Sequence, residues 1–325
     1  MQEKICLTTF IYGRKYQEYI PVLLFSVRTA YPEYDVILFV HGTVDPDIRG
    51  LLETWNLLKN VRIIEHSFDD CPKMSAVKAC SLRWILWTPD FLQYDYLYYI
   101  DADMFYIREA PLLHEQHQQH LATLKMPFSN VIREKKVRSR SPRDILRRLK
   151  LAGFTNFMPF LAAHNRSVKR LTGLHFVKVG EYFEALNENR LAELKKAIYD
   201  NSYIKSNYLS DNEAFLYDML SQRFDLSRVP VIQDSVACLD FDNPARPEFR
   251  PHHGIHFGIF RLPADDILSD ASQMRILKSR PYRFYFERFG EMVQKDDWKK
   301  FSTSLPPDVQ ALLSRLYAVI HALSK

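Results

Sequence analysis

Over its first hundred residues the chain alternates short apolar runs with amphipathic stretches, and this alternation constrains the fold more than any other feature. Residues 4–12 (KICLTTFIY), 35–40 (DVILFV), 61–66 (VRIIEH) and 96–100 (YLYYI) are rich in aliphatic, aromatic and Thr side chains, as buried strands are. Between them, Tyr19, Ile20, Leu23, Leu24 and Val27 recur at helical spacing within 16–29. Asp45-Pro46-Asp47 opens a helix over 47–58, with Pro in its first turn, and 74–87 reads as a third helix. Strand and helix in strict alternation imply right-handed crossovers and an α/β fold with a mainly parallel sheet flanked by helices. Ligands of such sheets lie beyond the carboxyl ends of the strands.

The later sequence is less regular. Helices are expected at 142–150, 180–199 and 211–222, and strands near 173–178, 229–239 and 254–260. From residue 305 the tail sets Val309, Leu312, Leu313, Leu316, Val319, Ile320 and Leu323 on one helical face. These features divide the chain into a domain at 1–261 and a helical C-terminal extension at 262–325.

Composition narrows the class. Only 9 glycines stand against 22 Phe and 18 Tyr, so the interior is ring-rich and the chain is neither fibrous nor flexible. Cys6, Cys71, Cys80 and Cys238 lie far apart with no CxxC pair, which suits isolated thiols in a reducing compartment. The N-terminus MQEKICLTTF does not read as a signal peptide, and no apolar run is long enough to span a bilayer, so a cytoplasmic location is expected. Neither Gly-x-Gly-x-x-Gly nor GxxxxGK[ST] occurs.

Three Asp-x-Asp triplets are present. Asp45-Pro-Asp47 stands at a helix start, where capping accounts for it, and Asp240-Phe-Asp242 precedes Asn-Pro in a turn. Asp101-Ala-Asp103 instead terminates the apolar run Tyr96–Ile100, which puts two carboxylates at the ligand-binding edge of the sheet. If the strand continues, 101 and 103 share one side, and like charges so placed repel unless a cation neutralises them. Hard divalent ions such as Mn2+ or Mg2+ take oxygen ligands and bridge phosphates.

The segment YLYYIDADMFY resembles the carboxylate-bearing strand of GT-A glycosyltransferases, most closely those related to family 8, which includes glycogenin and bacterial lipopolysaccharide galactosyltransferases. The resemblance spans roughly residues 4–261. It implies a GT-A type, Rossmann-like fold and transfer of a hexose, galactose by preference, from a UDP-sugar to a glycan or glycolipid, with retention, in bacterial surface polysaccharide or lipopolysaccharide synthesis. It further implies that Asp101 contacts ribose and metal, that Asp103 binds metal, and that Thr8, Thr9 and Tyr12 border uracil and ribose. Arg83, with Lys78 as a second candidate, matches the family's donor-binding Arg.

The family's late His ligand falls on His252-His253-Gly254-Ile255-His256-Phe257-Gly258-Ile259-Phe260-Arg261, although the spacing departs from the family pattern and its Lys-Pro-Trp is missing. His256 fits best as third ligand, His253 remains an alternative, and Arg261 stands in for the Lys that stabilises the leaving diphosphate. Leu171–Phe176, with His175, occupies the place of a segment approaching sugar and acceptor. Ser210-Asp211-Asn212-Glu213 occupies that of a segment touching the donor sugar, where Asp211 equally suits a helix cap. Should the configuration invert, Asp211 and Glu213 are the candidate bases.

Residues 133–150 (REKKVRSRSPRDILRRLK) hold nine Lys/Arg against two acids in a chain whose net charge is only +5. Such a block suits a solvated loop, an acidic substrate or an anionic membrane surface, the last consistent with a lipid-linked acceptor at the inner face of a membrane. Oligomeric state has no signature, and no nucleic-acid motif is visible. A nucleotidyltransferase acting on a sugar phosphate and a non-catalytic glycan-binding module are the competing functions.

Overall fold

The computed structural model describes residues 3–136, 167–202, 212–233, 243–249 and 253–324. A six-stranded sheet runs in the order β3-β2-β1-β4-β9-β6, comprising β1 (Ile5–Ile11), β2 (Asp35–Val40), β3 (Val61–Ile64), β4 (Tyr96–Tyr99), β6 (Phe128–Ser129) and β9 (His175–Lys178). The first four strands are mutually parallel, while β9 runs antiparallel to both β4 and β6. The fold is thus the expected α/β arrangement, a mainly parallel sheet flanked by helices.

Side-chain alternation divides the interior into two cores. Ile5, Leu7 and Ile11 of β1 and Tyr98 of β4 face one core, which also takes the helix Ile20–Ala30. Cys6, Phe10, Leu97 and Tyr99 face the other, beneath the helices Ala76–Leu82, Val179–Ala185, Glu188–Tyr199 and Asn212–Ser221. Period-two alternation with both faces covered is what makes these strands read as nearly continuous apolar runs.

Several boundaries shift from the sequence reading. The stretch 180–199 is two helices, broken where Asn187 caps the second by accepting from the Arg190 N–H at 3.1 Å. The helix expected over 74–87 stops at Leu82 and tightens into a 3-10 turn at Arg83–Ile85. The strand expected near 254–260 is only β11 (Ile255–His256), followed by a 3-10 turn from Phe257 to Arg261. Asp45 caps the helix Pro46–Thr54, accepting from the Asp47 N–H at 3.0 Å. The helix expected at 142–150 and most of the basic block lie outside the described residues.

The division expected at residue 261 runs through a single core. Tyr282, Phe286, Phe289, Trp298, Phe301 and Leu316 pack into the same cluster as β1 and the helix Ile20–Ala30, and Phe301 stacks on Phe25 at 4.2 Å. The apolar face of the helix Pro307–Leu323 is therefore turned inward. Among the described residues no helix is long and apolar enough to cross a membrane. Cys6, Cys71 and Cys80 are free thiols.

Candidate functional site

The carboxyl end of β4 is where the site begins. Ile100 extends the ladder by donating to the Thr8 carbonyl at 2.9 Å, and the chain then turns at Ala102-Asp103 before the short strand β5 (Met104–Phe105). Extended geometry does not persist through the triplet, so the expected side-by-side carboxylates give way to two acids with separate partners. Asp101, about a third exposed, forms an ion pair with Arg83. That guanidinium, nearly buried, also donates to the Ile100 carbonyl at 3.3 Å and lies 4.2 Å over the Trp84 ring.

Asp103 is the buried member, at 5% exposure. Its Oδ2 accepts from Arg261 at 2.7 Å, and its Oδ1 lies 3.3 Å from His256 Nε2. Burial alone would raise this carboxyl, but the hydrogen bond and charge of His256, with Arg261, hold it below the ordinary carboxylate value. His256 shifts the opposite way: burial disfavours its cation, yet Asp103 outweighs burial and raises the imidazole. These partners arrive because β11 pairs antiparallel with β5, His256 opposite Met104, and because the Phe257 N–H donates to the Asp103 carbonyl at 2.8 Å.

Two glycines, Gly254 and Gly258, make this convergence sterically possible. A Cβ on Gly258 would lie 2.6 Å from His256 Cε1 and 3.3 Å from Asp103 Oδ2. A Cβ on Gly254, whose φ is +99°, would lie 2.1 Å from the Phe105 carbonyl oxygen. Gly173 is different: a Cβ there would make only ordinary contacts, 3.4 to 3.6 Å from Glu213, Arg83 and Asp101, which places these three side chains around one point. In a chain with so few glycines, the pair in His253-Gly-Ile-His-Phe-Gly258 was a readable signal of close packing that the sequence reading did not use.

The donor set suits a divalent ion in part. Two adjacent ligands bonded to one small dication at about 2.1 Å sit roughly 3 Å apart, which is the separation of the Asp103 oxygen and the His256 nitrogen. Asp101 is turned to Arg83 instead. Among the described residues no three or more His, Cys, Asp or Glu side chains gather into a complete ligand set.

The other candidates fall in several places. Thr8 and Thr9 are fully buried in β1, and the Thr8 hydroxyl donates to the Ile37 carbonyl at 2.9 Å, within the sheet. Tyr12, beyond the strand's end, stands against His41 with ring centres 5.3 Å apart. Lys78 is buried and its ammonium caps the Pro72 and Tyr199 carbonyls at 2.7 and 2.9 Å, so it braces a loop and a helix end instead of facing a donor. Glu213 pairs with Arg133 of β7 (Ile132–Lys136) and, at 3.0 Å, with Arg170 of β8 (Ser167–Leu171), partners that the sequence reading missed. Asp211 lies outside the described residues. His253 is buried and faces Glu109 and His117, which removes it as the alternative to His256.

His175 was expected near sugar and acceptor, but it is a core residue. Its ring has no exposure, accepts from Asn130 at 3.0 Å and packs among Trp84, Tyr99, Phe128 and Tyr182. Burial pushes this imidazole down to about 3. A folded-state value below the unfolded one gives stability that is complete above pH 6.5 and lost as pH falls. We expect this residue alone to cost about 1.4 kcal/mol for each pH unit between about 6 and 4. Thermal unfolding of parent and His175→Gln protein across that range checks it; equal acid slopes would refute the assignment.

No family model matches the chain, and no curated protein matches it. Solved structures that it resembles include glycosyltransferases. The mannosyltransferase Ktr4p from S. cerevisiae in complex with GDP is 10% identical with a TM-score of 0.43, covering 71% of this chain and 69% of that one. The galactosyltransferase LgtC in complex with donor and acceptor sugar analogues is 13% identical with a TM-score of 0.40, covering 92% and 99%. Core-mannan synthase A from Aspergillus fumigatus in its Mn/GDP form is 9% identical with a TM-score of 0.39, covering 72% and 73%. Likenesses at this level assign neither donor nor acceptor to the present chain.

Proposed function

We propose that the protein is a metal-dependent glycosyltransferase that moves a hexose from a nucleotide-sugar donor to a glycan or glycolipid acceptor. The observation that carries this reading is the convergence on Asp103, at the carboxyl edge of a parallel sheet, of His256 and Arg261 from late in the chain. Asp103 and His256 would hold the cation, with Asp101 at the same turn as a further oxygen donor. When bound, the cation supplies Lewis-acid stabilisation to the departing diphosphate.

Arg261, 39% exposed beside Asp103, and Arg83 behind Asp101 are fixed positive charges facing the same region. Their part is to offset negative charge that grows on the leaving group, and being already oriented they reorganise little during reaction. Tyr12 and His41, at the ends of β1 and β2, offer ring surfaces for the nucleobase. Glu213, held between two guanidinium groups, is a poor proton acceptor. We therefore favour retention, in which the leaving phosphate takes the acceptor's proton, over inversion with Glu213 as base.

UDP-galactose is the donor that the family 8 resemblance favours, with Mn2+ as the metal and a lipid-linked glycan as acceptor. A thermal-shift series with UDP, GDP and CMP, each with and without Mn2+, tests donor and metal together, followed by hydrolysis assays over the preferred nucleotide's sugars. We expect Mn2+ to deepen the stabilisation by one nucleotide, UDP in this reading. Stabilisation that ignores metal would abandon the proposal for a non-catalytic binding module. Release of inorganic pyrophosphate from a sugar phosphate and a nucleoside triphosphate would replace it with a nucleotidyltransferase.

A further inference from the structure

Behind the Asp103 site lies a buried chain of hydrogen bonds that the proposed reaction does not use. It runs from the Pro247 carbonyl to His120 Nε2 (2.8 Å), from His120 Nδ1 to the Ser129 hydroxyl (2.8 Å), and from Ser129 to His117 Nδ1 (2.8 Å). It continues from His117 Nε2 to His253 Nε2 (3.1 Å) and from His253 Nδ1 to a carboxylate oxygen of Glu109 (3.0 Å). His117, His120 and Ser129 have no exposure, and His253 has 1%. Water therefore does not complete these bonds.

Counting hydrogens along the chain gives a definite result. Its two ends, a prolyl carbonyl and a carboxylate, only accept. Between them stand three imidazoles and one hydroxyl, and each neutral group brings a single hydrogen. Four hydrogens cannot make five links, so the chain holds one proton more than its neutral members supply. Its place follows from the surroundings. The Glu109 carboxyl group also accepts from the Tyr285 hydroxyl at 2.9 Å and from Gln116 at 2.7 Å, so with His253 three groups converge on it and its oxygens serve as acceptors. Burial holds His117 well below the ordinary imidazole value and brings His120 to about 4.

We propose that His253 is a buried imidazolium paired with Glu109, and that these two are positioning residues for His256. The polarity of every other bond then follows: His253 Nε2 donates to His117, His117 Nδ1 donates to Ser129, Ser129 donates to His120, and His120 Nε2 donates to Pro247. The pair pins the start of the segment that leads through Gly254 into β11 (Ile255–His256), which pairs with β5. It thereby sets the height at which the His256 ring meets Asp103. The positioning role rests on the glycosyltransferase reading, whereas the protonation state does not.

Nitrogen-15 spectroscopy of the full chain with labelled histidine, at pH 7.5 and without metal, tests the protonation state. Glu109→Gln and His253→Gln proteins identify the His253 signals. Two protonated ring nitrogens on His253, with His117 protonated on Nδ1 and His120 on Nε2, are expected; a neutral His253 overturns the proposal. In Glu109→Gln the amide can donate to His253 Nδ1, so that one link reverses, the other four keep their direction and the extra proton is lost. We expect that variant to show a neutral His253 and Mn2+ affinity lowered about 10- to 100-fold, with turnover at saturating metal retained. Unchanged Mn2+ affinity would overturn the positioning role. A parent protein that binds no Mn2+ would refute the transferase reading and the positioning role that depends on it, while the nitrogen spectrum still decides the ion pair.

Discussion

Asp103→Asn protein is expected to transfer sugar on the order of 10²- to 10³-fold more slowly than the parent. The substitution keeps the side chain's shape but removes the charge that faces both Arg261 and His256. An amide there is a poor ligand for a hard dication and no longer balances the Arg261 charge. Stability should fall by no more than about 2 kcal/mol, because Arg261 is 39% exposed and can turn its charge to water. Steady-state transfer assays, with circular dichroism to confirm the fold, give the answer. Asp45→Asn is the control: Asp45 sits in a triplet of the same form but caps a helix, so it should cost about 1 kcal/mol or less and leave turnover alone. Asp103→Asn protein working at the parent's rate would sink the functional reading.

The second large effect is expected from the glycines that let β11 reach the site. Gly254→Ala forces a methyl group to within 2.1 Å of the Phe105 carbonyl and requires a left-handed backbone at φ +99°. Steric displacement and backbone strain together should destabilise the fold by roughly 3 kcal/mol or more. Gly258→Ala differs in kind. Its methyl would lie 2.6 Å from one ring carbon of His256, and that ring, at 34% exposure, has room to swing away. Stability should then change by less than about 1.5 kcal/mol while metal affinity drops about 10- to 100-fold. Urea denaturation and Mn2+ titration on the two variants separate these outcomes. Equal stability losses, or a Gly258→Ala protein with the parent's metal affinity, would show that the close approach to His256 does not matter.

How much of this was legible beforehand depends on the range of the interactions involved. The strands β1, β2, β3 and β4, their parallel order and the placing of Asp101-Ala-Asp103 at a sheet edge could be read directly, since they follow from local periodicity and chain direction. The cap at Asp45 was readable for the same reason. His256 and Arg261 could be named only through a resemblance, because no local rule links them to a triplet some 150 residues earlier. Lys78 and His175 misled: their residue types suit donor and acceptor contacts, but a buried lysine met by two carbonyls and an imidazole packed among rings leave the same trace in a sequence.

The sequence by itself determined the layering of this protein, through the period-two and helical patterns that decide which faces must leave water. Only the tertiary structure decided which charges meet. It turned the chain at Asp103 and so sent the two carboxylates to different partners. It also joined the C-terminal helices to the main core and lined up His120, Ser129, His117, His253 and Glu109. Burial is written residue by residue along the chain, whereas hydrogen bonds and ion pairs depend on a few ångströms of relative placement between distant segments. That placement is set by packing as a whole.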